Sequence, residues 1–142
     1  MKKRVTGIGG VFLKAQDPKA TNEWYDKHLG IKSGQWGGTF IWRHAEDKEK
    51  MGYTAWSIFK NDTTYTNPSK KDAMINYRVE DLEALLKVLK EEGVEIVGEM
   101  QVEDYGKFGW IMDPNGYKIE LWEPFDGPYE EMLNEDDVNR SS

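Results

Sequence analysis

Asp113-Pro-Asn-Gly-Tyr-Lys-Ile-Glu-Leu-Trp-Glu-Pro124 reads as a tight turn running into a strand that carries one inward carboxylate, Glu120. Pro114 fits the second position of a type I turn, and Asn115 and Gly116 tolerate the reversal that follows. The strand then alternates. Ile119 and Leu121 fall on one face, and Lys118, Glu120 and Trp122 on the other.

Upstream of this hairpin lies a module that the chain contains twice. Residues 73–79 read as a strand, and a helix is expected over 81–92, ending at Gly93. Leu82, Leu85, Leu86 and Leu89 fit the spacing of one apolar helix face. Strands are expected near 94–100, 107–112 and 117–122. The first half follows the same order: a strand over 5–13, a helix opened by Asp17-Pro18 and closed at Gly30, then strands over 40–43 and 52–59. Ala20, Trp24 and Leu29 are candidate core contacts of that first helix. Gly52-Tyr53 before a strand echoes Gly116-Tyr117, and Leu29-Gly30-Ile31 echoes Glu92-Gly93-Val94. The Asn-, Thr- and Lys-rich stretch 61–71 reads as the link between the halves.

Composition bounds the function. With 142 residues the chain is expected to form a single domain over 1–142. The modules are placed at 5–66 and 73–125, and an acidic C-terminal tail at 126–142. That tail either packs in part through Tyr129 and Met132 or is disordered. Lys and Arg number 19 against 26 Asp and Glu, which argues against nucleic-acid or anionic-membrane partners. Met1-Lys2-Lys3-Arg4 is basic, but no apolar stretch follows it as a signal peptide requires. No apolar run approaches the roughly 20 residues that span a bilayer, and a cytoplasmic location is expected. There is no Cys, so disulfides and thiolate ligands are excluded, and only His28 and His44 could act as imidazole ligands. His28 reads as a helix C-terminal dipole partner, and His44 and Lys14 as surface groups. Six Trp residues are many for so small a domain, and some of them are expected to line a pocket.

The order and spacing of DPKATNEWYDKHLGI, MINYRVEDLEALL, YGKFGWIMDPNG and IELWEP resemble the vicinal oxygen chelate superfamily. That superfamily includes glyoxalase I, the bleomycin-resistance proteins and the extradiol dioxygenases. The resemblance covers about residues 5–125. It implies an α+β fold: two tandem βαβββ modules forming one curved mixed sheet, with the helices on the convex face and a concave trough on the other. Metal-dependent relatives take four ligands, usually His or Glu, from four strands. Counted by local register, those positions fall on Gly10, Trp56, Met74 and Glu120. Three of the four cannot serve a first-row divalent ion, so no metal and no other cofactor is expected.

Strand alternation places Phe12, Trp56, Asn76, Arg78, Trp110 and Trp122 in the trough with Glu120. An aromatic trough with a few polar groups suits a small organic ligand. Arg78 could hold a ligand carboxylate or be neutralised by Glu120. The Tyr105–Gly109 stretch, flexible through its glycines, could close over a ligand or simply enter a strand, and Asp62 to Tyr65 could add polar groups. Two functions stay open. One is a metal-free binding protein, like the drug-sequestering relatives. The other is an enzyme of lyase, isomerase or dioxygenase type, either with Glu120 as general base or with an incomplete metal site. The relatives also imply a homodimer.

Overall fold

The computed structural model describes residues 3–140; Met1 and Lys2 of the basic start and Ser141 and Ser142 of the tail lie outside it. The elements run β1 Val5–Ala15, α1 Pro18–Leu29, β2 Gly38–Arg43, β3 Met51–Lys60, β4 Ala73–Val79, α2 Leu82–Glu91, β5 Gln101–Glu103, β6 Gly106–Met112 and β7 Lys118–Pro124. A short helix α3, Asp126–Met132, a 3₁₀ turn over Glu135–Asp137, and β8, Val138–Asn139, complete the chain. The fold is α+β, with one curved, mixed sheet in the order β5-β6-β7-β4-β1-β3-β2-β8.

Both long helices start and stop where local chemistry directs. The Asp17 side chain accepts from Ala20 N at 3.1 Å, and Asp81 accepts from Ala84 N at 3.2 Å. Gly30 and Gly93 take positive φ after the helices, at 68° and 85°. A long-range bond adds to the start of α2: Glu123 Oε1, from β7, accepts from Leu82 N at 2.9 Å. The Asp113 side chain accepts from the N–H groups of Asn115 and Tyr117 at 2.8 and 2.9 Å, which sets the turn before β7.

The halves join at β1 and β4, which pair antiparallel at the centre of the sheet. Each centre strand then pairs parallel with an outer one, β1 with β3 and β4 with β7. Irregular steps in β1, between Val5 and Gly7 and between Ile8 and Gly10, shift its register against β4. Under α2, Val79, Leu82, Leu85, Ile111 and Leu121 form the main apolar core. Leu82 is fully buried, a contribution of roughly 2 kcal/mol.

One sequence expectation needs correction here. Residues 94–100 form no strand; an isolated bridge between Ile96 and Ile111 stands there, and pairing resumes at β5. Gly98, at φ 69°, breaks the extended run. The tail packs in part, through Tyr129, while much of it stays exposed. Tyr129 contacts both Tyr53 and Trp122, with ring centroids 5.3 and 5.0 Å away, whereas Met132 stays exposed.

Candidate functional site

Four central strands set the site at one level. Gly10 of β1 stands opposite Ala55 of β3 and Asn76 of β4, and Asn76 stands opposite Glu120 of β7. Beside this row opens a cavity of about 300 Å³. Its floor includes Gly9, Ala55, Asn76 and Glu120. Its walls are rings: Phe12, Phe108, Trp110 and Trp122 from strands, with Tyr65 and Tyr105 from the connections beside them. Tyr129 of α3, with Gln101 and Glu103 of β5, completes the lining.

Glu120, 3% exposed, is the centre of the polar network. Asn76 Nδ2 donates to its Oε1 at 2.7 Å. Trp110 Nε1 donates to Oε2 at 2.9 Å, and the Tyr65 hydroxyl donates to the same oxygen. The carboxylate can only accept, so it fixes the orientation of the Asn76 amide and leaves Oδ1 turned away. That Oδ1 is buried without a hydrogen-bond partner and lies against Gly9, where any Cβ would collide with it. Burial, followed by the charge and hydrogen bond of Glu120, pushes the Tyr65 phenol well above its ordinary range, so Tyr65 remains a donor. Burial likewise raises Tyr105 and Tyr129.

Lys118 lies behind the Tyr65 and Trp110 rings, with its Nζ 5.4 and 5.5 Å from their centroids, and donates to Tyr65 O at 2.7 Å. Burial lowers its pKa, against the pull of Glu120. Trp122 Nε1 donates to Tyr105 O at 3.1 Å. The indole can lie this close because Gly106, at φ 147°, has no Cβ to meet it.

Phe12, Asn76, Trp110, Glu120 and Trp122 therefore meet at one cavity, as their strand alternation implied. Trp56 does not. It lies on the helix side, its ring 5.2 Å from that of Tyr25 in α1. The error comes from equating Gly52 with Gly116. Gly116, at φ 89°, belongs to the turn before β7, whereas Gly52 is already paired inside β3 under the Trp42 ring. The inward phase of β3 is thus shifted by one residue, and Ala55 faces the cavity. Met74 keeps the expected face but lies two residues out of level: it pairs with Phe12, and Asn76 is the residue level with Glu120.

Arg78 is also displaced from its expected place. It is 2% exposed and sits between Trp42 and Trp122, 5.5 and 5.3 Å from their rings, outside the cavity lining. Its Nη2 donates to both oxygens of Asp126, at 3.0 and 3.2 Å, so its carboxylate partner is not Glu120. Tyr65, Tyr105 and Phe108 line the cavity from stretches that the sequence offers only as a possible polar contribution or closure, and Tyr129 from a tail with no expected place in the site. The glycine-flanked stretch around Tyr105 and Phe108 carried some signal, but Tyr65 and Tyr129 reach the site from a connecting loop and from the tail, where no strand alternation points inward. Lys14, His28 and His44 lie outside the cavity lining.

The row Gly10, Ala55, Asn76 and Glu120 does not fit a divalent cation. Two of its members have no side-chain donor atom, Asn76 turns its NH₂ group toward the carboxylate, and three N–H and O–H donors converge on Glu120. No cluster of three His, Cys, Asp or Glu suited to a metal ion occurs among the described residues.

A family model described as Glyoxalase/Bleomycin resistance protein/Dioxygenase superfamily matches residues 7–121. The chain belongs to this superfamily. Among solved structures it is similar to methylmalonyl-CoA epimerase from Mycobacterium tuberculosis, with a TM-score of 0.60 at 22% identity, over 87% of this chain and 91% of the other. It is also similar to a Streptomyces coelicolor methylmalonyl-CoA epimerase variant in complex with 2-nitronate-propionyl-CoA, with a TM-score of 0.62 at 15% identity, over 84% and 97% of the two chains. A superfamily member from Vibrio splendidus 12B01 gives 0.53 at 14% identity, over 82% and 97%. At these identities the likeness carries the fold and not the activity. No curated protein matches this superfamily chain. No helix among the described residues is long and apolar enough to cross a membrane.

Proposed function

We propose that this superfamily member binds a small organic molecule in the aromatic cavity, without a metal. The observation that carries this reading is the cavity itself: about 300 Å³, walled by rings and floored by the Asn76–Glu120 pair. That volume stands at the lower end of small-molecule sites, and the mixture of apolar wall and few polar groups is typical of them. Glu120 in this reading organises the wall. Three of its about four lone-pair sites already accept, from Asn76, Trp110 and Tyr65, so the carboxylate serves mainly to hold those groups in place. The proposal includes a homodimer, supported by Trp24, Leu29 and Trp36, which α1 and the following loop leave exposed.

The test is a fluorescence and thermal-shift screen of small organic molecules with and without a chelator. Trp110 and Trp122 line the cavity, so an occupant should change the indole emission. Binding that is unaffected by the chelator and weakened in Trp110→Phe is expected. Stoichiometric metal in untagged protein, lost in Glu120→Ala, would overturn the metal-free reading. A monomer mass by light scattering at micromolar concentration would overturn the dimer.

A further inference from the structure

The charged groups on the cavity surface are all of one sign. Glu120 lies at the floor and Glu103 at the rim, and no Lys or Arg contributes to the lining. The two nearest buried cations are engaged elsewhere: Lys118 with Tyr65 O and Arg78 with Asp126. They also divide the rings into two classes. Lys118 lies over Tyr65 and Trp110, and Arg78 over Trp122, so these rings already serve protein cations. Among the described residues no Lys or Arg lies over Tyr105, Phe108, Tyr129 or Phe12.

Tyr105 and Phe108 meet edge to face, with centroids 5.5 Å apart and planes at 71°, and form an aromatic corner beside Glu103. The Tyr105 phenol is raised first by burial and then by Glu103, Glu120 and Asp104, all carboxylates. Its surroundings therefore carry negative potential. An electron-rich corner with carboxylates at floor and rim attracts a positive charge through the ring quadrupoles and by direct Coulomb attraction. A carboxylate ligand would meet the same groups with the wrong sign, and no free cation lines the cavity to receive it.

We infer that the cavity selects a small organic cation, a protonated amine or quaternary ammonium, with its charge held in the Tyr105–Phe108 corner between Glu103 and Glu120. The inference rests on the proposed binding function and adds the chemical class of the ligand. It reverses the expectation that Arg78 would hold a ligand acid, because Asp126 already occupies that guanidinium.

Three compounds of nearly one shape test it: benzylamine, which is protonated at neutral pH, benzyl alcohol and benzoate, each titrated against tryptophan emission. Benzylammonium should bind about tenfold tighter than the alcohol, with benzoate weakest. Phe108→Leu keeps an apolar wall and removes a ring, and should erase most of the amine's advantage. Glu103→Gln, in an exposed strand and thus tolerant of change, should reduce that advantage about threefold and lessen its dependence on salt. An alcohol or benzoate that binds as tightly as the amine, or an advantage unchanged in both variants, overturns the inference while the binding function stands. If neither these compounds nor the wider screen alters the emission, both fall.

Discussion

The two halves share one order of elements but bury their helices differently. In the second half α2 sinks Leu82 and Leu85 into a core with Val79, Ile111 and Leu121. In the first half α1 has no buried residue, and Trp24 and Leu29 remain exposed. The opposite face of the sheet is divided in the same sense. β7 brings Glu120 to the cavity, and its counterpart on β3 is Ala55; β4 brings Asn76, and its counterpart on β1 is Gly10. The small residues of the first half leave the space, and the second half supplies the carboxylate and the Trp110 and Trp122 rings around it. A duplicated fold thus has one half that carries core and site chemistry, while the other gives room.

The largest expected effect lies in the helices. Leu82→Ala should cost about 2–5 kcal/mol in urea unfolding, whereas Leu29→Ala should stay within about 0.5 kcal/mol. Equal costs would mean that α1 is buried in solution, for instance by a second copy. Next comes the polar network. Glu120→Ala leaves the buried Trp110 Nε1 and Asn76 Nδ2 without their acceptor and should cost about 2–3 kcal/mol. A neutral result would show that water replaces the carboxylate.

Asp126→Asn should have a smaller effect, about 1–2 kcal/mol, because Arg78 is buried while Asp126 remains partly in solvent. The same variant should raise proteolytic sensitivity in the tail, since Tyr129 and Glu130 would hold α3 alone. The smallest effect is electrostatic and appears only in alkali. Burial raises Tyr53 to about 12, and Tyr65, Tyr105 and Tyr129 are also raised. The folded state holds these protons more tightly than the unfolded chain. Their contribution is therefore intact below the ordinary tyrosine pKa of about 10 and is lost as pH rises through the folded values. Phenolate absorbance should show these four titrating late in native protein and in the ordinary range in urea. Early titration of Tyr65 would break its bond to Glu120 as described.

The same contrast explains what could be read in advance. Helix α2 and strand β7 carry local signals strong enough to stand alone: Leu at helical spacing after an Asp cap, and alternation after Asp113-Pro114-Asn115-Gly116. Glu120, Asn76, Trp110, Trp122 and Phe12 were legible as one face for that reason. Trp56 was not, because the phase of β3 was counted from a glycine that lies within the strand. Arg78 was placed on a plausible strand face, but its partner Asp126 is 48 residues away, on a segment that read as a tail.

Local sequence signals set the duplicated α+β order, the helix ends, the acidic balance and the single inward carboxylate on β7, because turns, caps and periodicity act within a few residues. Tertiary structure alone decided that Ala55 faces inward in place of Trp56, that Asp126 takes Arg78, and that Tyr65 and Tyr129 close the cavity. Those outcomes depend on how β3 pairs with β1 and β2 and on contacts between distant segments. Their free energy comes from burial and pairing that no local window contains.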